Sequence, residues 1–389
     1  MSPLSNAYLD AAQLQQMERF YPLHAYVCDR CFLVQLQEFE SPEHIFSDYA
    51  YFSSYSQTWL DHAKSYTEAM ISRFGYGPAS QVVEIASNDG YLLQYFKAAN
   101  VPVLGIEPAD NVAEVARKAG IPSVSRFFGA GFATELRTQG KQADLLLGNN
   151  VLAHVPALND FVQGMKILLK ADGVITMEFP HLLRLMRENQ FDTIYHEHFS
   201  YFSFLTVERL FADHGLRVFD VERLSTHGGS LRIYAQHAEH TSRGVSARVH
   251  DLREEERRAG LDRLATYNEF ADHVKRTKRL LLAFLVEAKS AGKRIVGYGA
   301  PAKGNTLLNY CGIRSDFLDY TVDRNPHKQG KFLPGTHIPI LHPDRIRETR
   351  PDYVLILPWN IRDEVVDQMA DVRTWGGKFV VPVPEVQVI

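Results

Sequence analysis

Ten residues in the middle of the chain, Thr193-Ile-Tyr-His-Glu-His-Phe-Ser-Tyr-Phe202, concentrate two imidazoles, a carboxylate and four aromatic rings. A neutral imidazole takes up a proton near physiological pH, a neighbouring carboxylate can orient it, and a phenol can donate to an oxyanion. A core strand would not tolerate His196, Glu197 and His198 in succession, because every buried polar group needs a partner. The stretch therefore reads as a catalytic centre. The competing reading is a loop whose histidines cap helices or bridge domains.

Other residues look suited to binding what such a centre would act on. Glu84-Ile-Ala-Ser-Asn-Asp-Gly90 is spaced like E-x-G-x-G-x-G, with Ala86 and Asn88 in two of the glycine positions. A turn of this kind brings backbone close to a ligand at the carboxyl end of a strand. Glu107 lies 23 residues after Glu84, where a carboxylate can accept both hydroxyls of a ribose. Asn149 and Asn150 end a further strand, where an adenine edge can be read, and His154 follows just past that strand end. This set fits either a nicotinamide cofactor or S-adenosylmethionine. The absence of G-x-G-x-x-G counts against the dinucleotide. Arg232, near His227, could face an anion or be an ordinary surface arginine.

A second glycine-rich turn comes late. Lys293 to Thr306 reads as strand, turn and helix, and Gly297, Gly299 and Gly304 with Lys303, Asn305 and Thr306 suit a phosphate cradle at a helix N-terminus. With Asp323, Asn360 and a basic loop at 328–335 it could hold a nucleotide diphosphate. The alternative is that its glycines serve only tight packing. Tyr55 closes an aromatic, hydroxyl-rich run at 46–55 that could line a ligand pocket, although packing between domains is the preferred reading. Cys28-x-x-Cys31 is half of a structural zinc site, since tetrahedral zinc takes four N or S ligands. His24 and His44 are weak further candidates, and Cys311 is distant in sequence.

The elements needed to position these residues are legible. Residues 80–180 alternate strands and helices, which predicts a doubly wound α/β sheet. A charge-laced helical run at 246–292 reads as an interdomain linker, and the last hundred residues begin a second α/β unit. At 389 residues the chain is too long for one ordinary core. A net charge of −4 gives no nucleic-acid footprint. No apolar run reaches membrane-spanning length, and the N-terminus lacks the basic and apolar regions of a signal peptide. Three cysteines make no disulfide framework, so a cytoplasmic protein is expected. Neither nucleic acid nor membrane is an expected partner. Oligomeric state is open, with a monomer as one expectation.

The chain resembles the S-adenosylmethionine-dependent C-methyltransferases of deoxysugar biosynthesis, which act on nucleotide-linked 4-keto sugars. The resemblance runs over nearly the whole chain. It rests on Glu84–Gly90, Ile194–Phe202, His227–Arg232, Gly297–Asn305, Asp323–Gly330 and Leu357–Asn360. It implies a partial zinc-type region at 1–55, a class I methyltransferase-like Rossmann domain at 56–245, the helical linker at 246–292 and a Rossmann-like nucleotide-sugar domain at 293–389. The zinc region is truncated: the family's first cysteine pair would precede Pro3, and only Cys28 and Cys31 match.

By that match Glu84, Gly90, Glu107 and Asn149 fall at cofactor positions. Tyr195, Glu197 and His198 fall at catalytic ones, with His154 nearby, and Lys303 and Asn305 at the sugar nucleotide. The implied reaction removes the C3 proton beside a ketone and methylates the resulting enolate. His198 is the expected base, Tyr195 and His154 are candidate donors to the enolate oxygen, and Glu197 orients His198 or holds a sugar hydroxyl. His196 is expected to be structural, because neighbours in extended chain point opposite ways. Competing readings are an O- or N-methyltransferase, an NAD-dependent oxidoreductase and a non-catalytic sugar-nucleotide binder.

Overall fold

The computed structural model describes all residues except 47–51 and 241, together with all side chains apart from those of His44, Phe46 and His227. The middle of the aromatic run and the histidine candidates His44 and His227 thus lie outside the described residues. The chain divides into two compact units. A central unit comprises Cys28–His181 and Phe199–Asp262, and a terminal unit comprises Met1–Val27, Leu182–His198 and Arg263–Ile389.

The central unit is built on seven strands: β1 (Val82–Ile85), β2 (Val103–Ile106), β3 (Ser123–Val124), β4 (Ala143–Asn149), β5 (Leu169–Pro180), β6 (Leu216–Leu224) and β7 (Ser230–His237). Their order is β3-β2-β1-β4-β5-β7-β6. The first five run parallel, and β7 is antiparallel to both neighbours. Val82, Val83 and Ile85 are buried, as strands covered on both faces require. One face packs under Phe132, Phe161, Met165 and Phe211. The other packs under Tyr66, Met70, Leu92 and Phe96. The helix Gln57–Phe74 starts where Ser56 accepts a hydrogen bond from the Trp59 amide, and it stops at Gly75 in the left-handed region.

The terminal unit carries a second sheet: β8 (Ile295–Tyr298), β9 (Thr321–Val322), β10 (Ile340–Leu341), β11 (Tyr353–Ile356), β12 (Lys378–Val381) and β13 (Gln387–Val388). The order is β10-β9-β8-β11-β12-β13, parallel except for the last strand. The helix Ala302–Cys311 follows β8 directly.

The run read as a linker is two helices, each built into a core. Ala247–Arg258 belongs to the central unit and buries Val249 and Leu252. Glu256 of that helix accepts from the Phe204 and Leu205 amides at 2.8 and 2.9 Å, which caps the helix Phe204–Asp213. Leu264–Ser290 belongs to the terminal unit and buries Leu281 and Leu285. The stretch Thr193–His198 likewise groups with the terminal unit rather than with the strands that flank it in sequence.

Candidate active site

The first glycine-like turn keeps the backbone of its motif without two of the glycines. Ala86 and Asn88 have φ of 57° and 49°, and Gly90 has 81°. A non-glycine residue adopts that region at a cost, and such strain collects at functional sites. The surroundings hold the turn in place. The Asn88 amide donates to Glu107 Oε2 at 2.9 Å, and the Ala109 amide donates to Glu107 Oε1 at 3.0 Å. Asn88 Oδ1 accepts from the Ser53 amide at 2.9 Å, and Asp89 Oδ2 accepts from the Ser54 amide and hydroxyl at 3.1 and 2.5 Å. Ser53 and Ser54 carry no motif, so sequence reading assigned them no part in this turn. A side chain at Gly90 would meet Ile121 at 2.9 Å.

The polar groups at this edge of the sheet are only partly satisfied. Asn149 is 9% exposed, and neither its Oδ1 nor its Nδ2 has a partner. Glu84 is fully buried, with Tyr91 as the hydrogen-bonding neighbour of its carboxyl. Burial, with Glu107 close by, pushes its pKa well above the ordinary carboxylate range. Burial raises Glu107 as well, against the pull of its two backbone donors. A buried primary amide with both donor and acceptor open matches a ligand edge that presents one of each, as adenine does. These residues fit S-adenosylmethionine. His154 ends a short 3-10 turn, Leu152–His154, just past the end of β4, and is half-buried.

In the terminal unit, residues 195–198 form a tight turn closed by the His198 amide on the Tyr195 carbonyl at 2.9 Å. The segment is therefore a turn and not the extended chain expected, in which residues two apart would share a face. His196 is buried, with Nε2 3.1 Å from the Pro22 carbonyl and its ring edge-on to Tyr21. His198 is half-buried, and its ring lies 4.3 Å from that of Tyr195. His198 Nδ1 is 3.1 Å from the Thr193 carbonyl. A carbonyl only accepts, so Nδ1 carries the proton and Nε2 keeps the lone pair. Glu197 is 5% exposed and accepts at 2.7 Å from Asn6, a residue 191 positions away. Burial pushes the Glu197 carboxyl up to about 7, against the Asn6 hydrogen bond.

Four candidate binding residues behave differently from a bare ligand site. Asn305 is buried and donates to the Ser5 carbonyl at 2.6 Å. Lys303 donates to Asn360 at 2.8 Å and lies 4.5 Å over the Trp359 ring. Arg232 is no surface arginine: it is 5% exposed, 3.0 Å from Glu178 and 3.4 Å from Glu222. Tyr55 is 77% exposed, with its ring against Phe52, so it does not pack into its own unit.

Cys28 and Cys31 sit in one turn, where backbone N–H groups lower the Cys28 thiol and burial raises that of Cys31. Among the described residues no group of three or more His, Cys, Asp or Glu is placed to hold a metal ion. Two thiols do not make a tetrahedral site, and no chemistry is assigned to a metal here.

The sheet order of the central unit, with a strained turn after β1 and an acidic residue after β2, defines a class I methyltransferase-like fold. The chain matches the family models "Methyltransferase domain" over residues 59–221, "C-methyltransferase C-terminal domain" over 225–384 and "Putative zinc binding domain" over 1–46. It is 37% identical over 372 residues to the C-methyltransferase NovU of Streptomyces niveus, covering 96% of this chain and 88% of the relative. Among solved structures it is similar to the PH0226 protein of Pyrococcus horikoshii OT3, at 14% identity and a TM-score of 0.40, over 51% of this chain and 99% of that one. It is also similar to magnesium protoporphyrin IX methyltransferase from Synechocystis PCC 6803 with bound SAM, at 14% identity and a TM-score of 0.35, over 46% of this chain and 78% of that one.

The chain belongs to the family of S-adenosylmethionine-dependent C-methyltransferases. No helix among the described residues is long and apolar enough to cross a membrane.

Proposed function

We propose that this enzyme methylates C3 of a nucleotide-linked 4-keto-deoxysugar through an enolate, with His198 as the general base. The observation that carries this reading is the hydrogen bond from His198 Nδ1 to the Thr193 carbonyl, which leaves Nε2 as the basic nitrogen. A C–H beside a ketone is acidic because the anion left behind is an enolate, and an imidazole is suited to removing it near neutral pH. Tyr195, whose ring lies tilted against that of His198, is the donor for the charge that develops on the ketone oxygen. Glu197, with a pKa of about 7, exists both with and without its proton near neutrality, so it can donate to or accept from a sugar hydroxyl.

S-adenosylmethionine, when bound, supplies an electrophilic methyl group. Glu84, Gly90, Glu107 and Asn149 are the residues proposed to hold it, with Asn149 reading the adenine edge. The central unit takes the donor. Mass spectrometry after incubation with S-adenosylmethionine and a panel of nucleotide-linked 4-keto sugars tests the reading. The expected product gains one methyl on carbon. Methylation on oxygen or nitrogen, or of none of the panel, would refute it.

A further inference from the structure

One buried cluster in the central unit has no part in the chemistry above. Glu178, on β5, is fully buried. It accepts from Thr226 Oγ1 at 2.8 Å and from Arg232 Nη2 at 3.0 Å, and His62 Nε2 lies 3.0 Å from it. Burial works to raise the Glu178 carboxyl, but His62, Arg232 and Thr226 outweigh it and hold the group below the ordinary range. Glu178 is therefore ionised and accepts only. The 3.0 Å approach then requires the proton on His62 Nε2. Arg232 Nη2 also lies 3.2 Å from that nitrogen, but an unprotonated Nε2 would set two acceptors, itself and Glu178 Oε2, against each other at 3.0 Å, so the proton belongs on Nε2.

The imidazole plane is set by Trp59, stacked at 5.0 Å and 18°, and Trp59 in turn stacks on Tyr91. A carboxylate behind one ring nitrogen fixes the tautomer and leaves the other as an acceptor. No residue among those described donates to His62 Nδ1. The His62 side chain is 19% exposed over a carboxylate that is not exposed at all.

The location says which ligand would meet it. Glu178 is the cross-strand neighbour of Asn149, on the carboxyl side of the sheet. The proposed donor residues sit at the ends of β1, β2 and β4, and β5 lies beyond them in the order β2-β1-β4-β5. Ligands of such sheets bind outside the carboxyl ends of the strands.

We propose that His62 is a specificity residue for the acceptor: its Nδ1, kept as an acceptor by Glu178, takes a hydrogen bond from a hydroxyl of the substrate. This rests on the reading of the substrate as a sugar and narrows it to one with a hydroxyl donor at that point. The charged groups against His62 are Glu178 and Arg232, with Glu222 behind Arg232.

Two measurements test it. In His62→Gln the amide nitrogen can still reach Glu178, but no acceptor remains at the position of Nδ1. The acceptor KM should rise about tenfold while the affinity for S-adenosylmethionine, read by calorimetry, stays within twofold. Among acceptors lacking one hydroxyl each, a single one should be penalised by the wild type and not by the variant. An unchanged acceptor KM, weakened binding of S-adenosylmethionine, or no such pairing would overturn the proposal.

Long-range proton–nitrogen spectra of the histidine-labelled enzyme, which need no substrate, should show His62 protonated on Nε2. Protonation on Nδ1 instead would overturn it as well. If the wild type methylates no sugar, the substrate reading falls and the His62 proposal falls with it. Normal sugar methylation with an indifferent His62 removes the proposal alone.

Discussion

In the central unit, on β4 next to the turn after β1, the amide of Asn149 is buried with neither Oδ1 nor Nδ2 paired. After β8 in the terminal unit, the same strand, turn and helix sequence is filled by the chain itself. The Ala300 amide donates to Asp323 at 2.8 Å, and the Ala300 carbonyl accepts from Tyr8 at 2.5 Å and Lys328 at 2.8 Å. A Cβ on Gly297 would meet Thr321 at 2.6 Å, and one on Gly304 would meet Leu357 at 2.9 Å. Glycine there serves close packing. A glycine-rich turn by itself thus says little about readiness to bind. What separates the two is how much is left over: Asn149 keeps both a donor and an acceptor open, whereas after β8 the helix leaves the single acceptor Asn305 Oδ1.

That contrast can be broken in several places. The largest effect is expected at His198. His198→Asn should lower turnover by about 10²- to 10⁴-fold, the usual range for a general base, with the affinity for S-adenosylmethionine unchanged. Quantifying methylated product over time checks it. Asn149→Ala should weaken binding of S-adenosylmethionine about tenfold, seen by calorimetry, and barely alter stability, because the amide makes no bond in the fold. Asp323→Ala should do the reverse. It strips the Ala300 amide of its partner and should cost about 1–3 kcal/mol of stability in denaturant unfolding, with S-adenosylmethionine affinity preserved.

A smaller effect, in pH, comes from Glu197. Its carboxyl is raised to about 7 in the fold, so folding favours its protonated form. Its contribution to stability is complete below the ordinary carboxylate pKa of about 4.3 and is lost as pH climbs through about 7. The span is about 3 kcal/mol. Asp192, raised by burial to about 6, acts in the same direction. Glu197→Gln should therefore flatten the decline of Tm between about pH 5 and 8, leaving the slope due to the other raised carboxyls, Asp192, Glu84 and Glu107.

The parts of the molecule encoded in neighbouring residues were legible beforehand. The longer strands of the first sheet, β8, β9 and β11 of the second, and the turn at Glu84–Gly90 follow from apolar runs and local spacing, whereas β3, β10, β12 and β13 were not read from the sequence. The linker reading failed because a charge-laced face does not show what the opposite face packs against: Leu252 goes into one core and Leu281 into the other. His196 was expected to point away from its immediate neighbours in an extended segment, but residues 195–198 form a turn. The partners of the site were hidden by distance in sequence, as with Asn6 on Glu197 and His62 on Glu178. A usable signal did exist for the last of these. Glu178 interrupts the apolar run Gly173-Val-Ile-Thr-Met-Glu-Phe-Pro180, and Arg232 interrupts another, and buried charges of opposite sign must find each other.

The central claim is that His198 makes a carbanion. Deuterium incorporation at C3 of a nucleotide-linked 4-keto sugar, in D₂O with S-adenosylhomocysteine in place of the methyl donor, measures that step alone. The account predicts exchange with the wild type and none above background with His198→Asn. Equal exchange in both, or no exchange in an enzyme that still methylates the sugar, would contradict it.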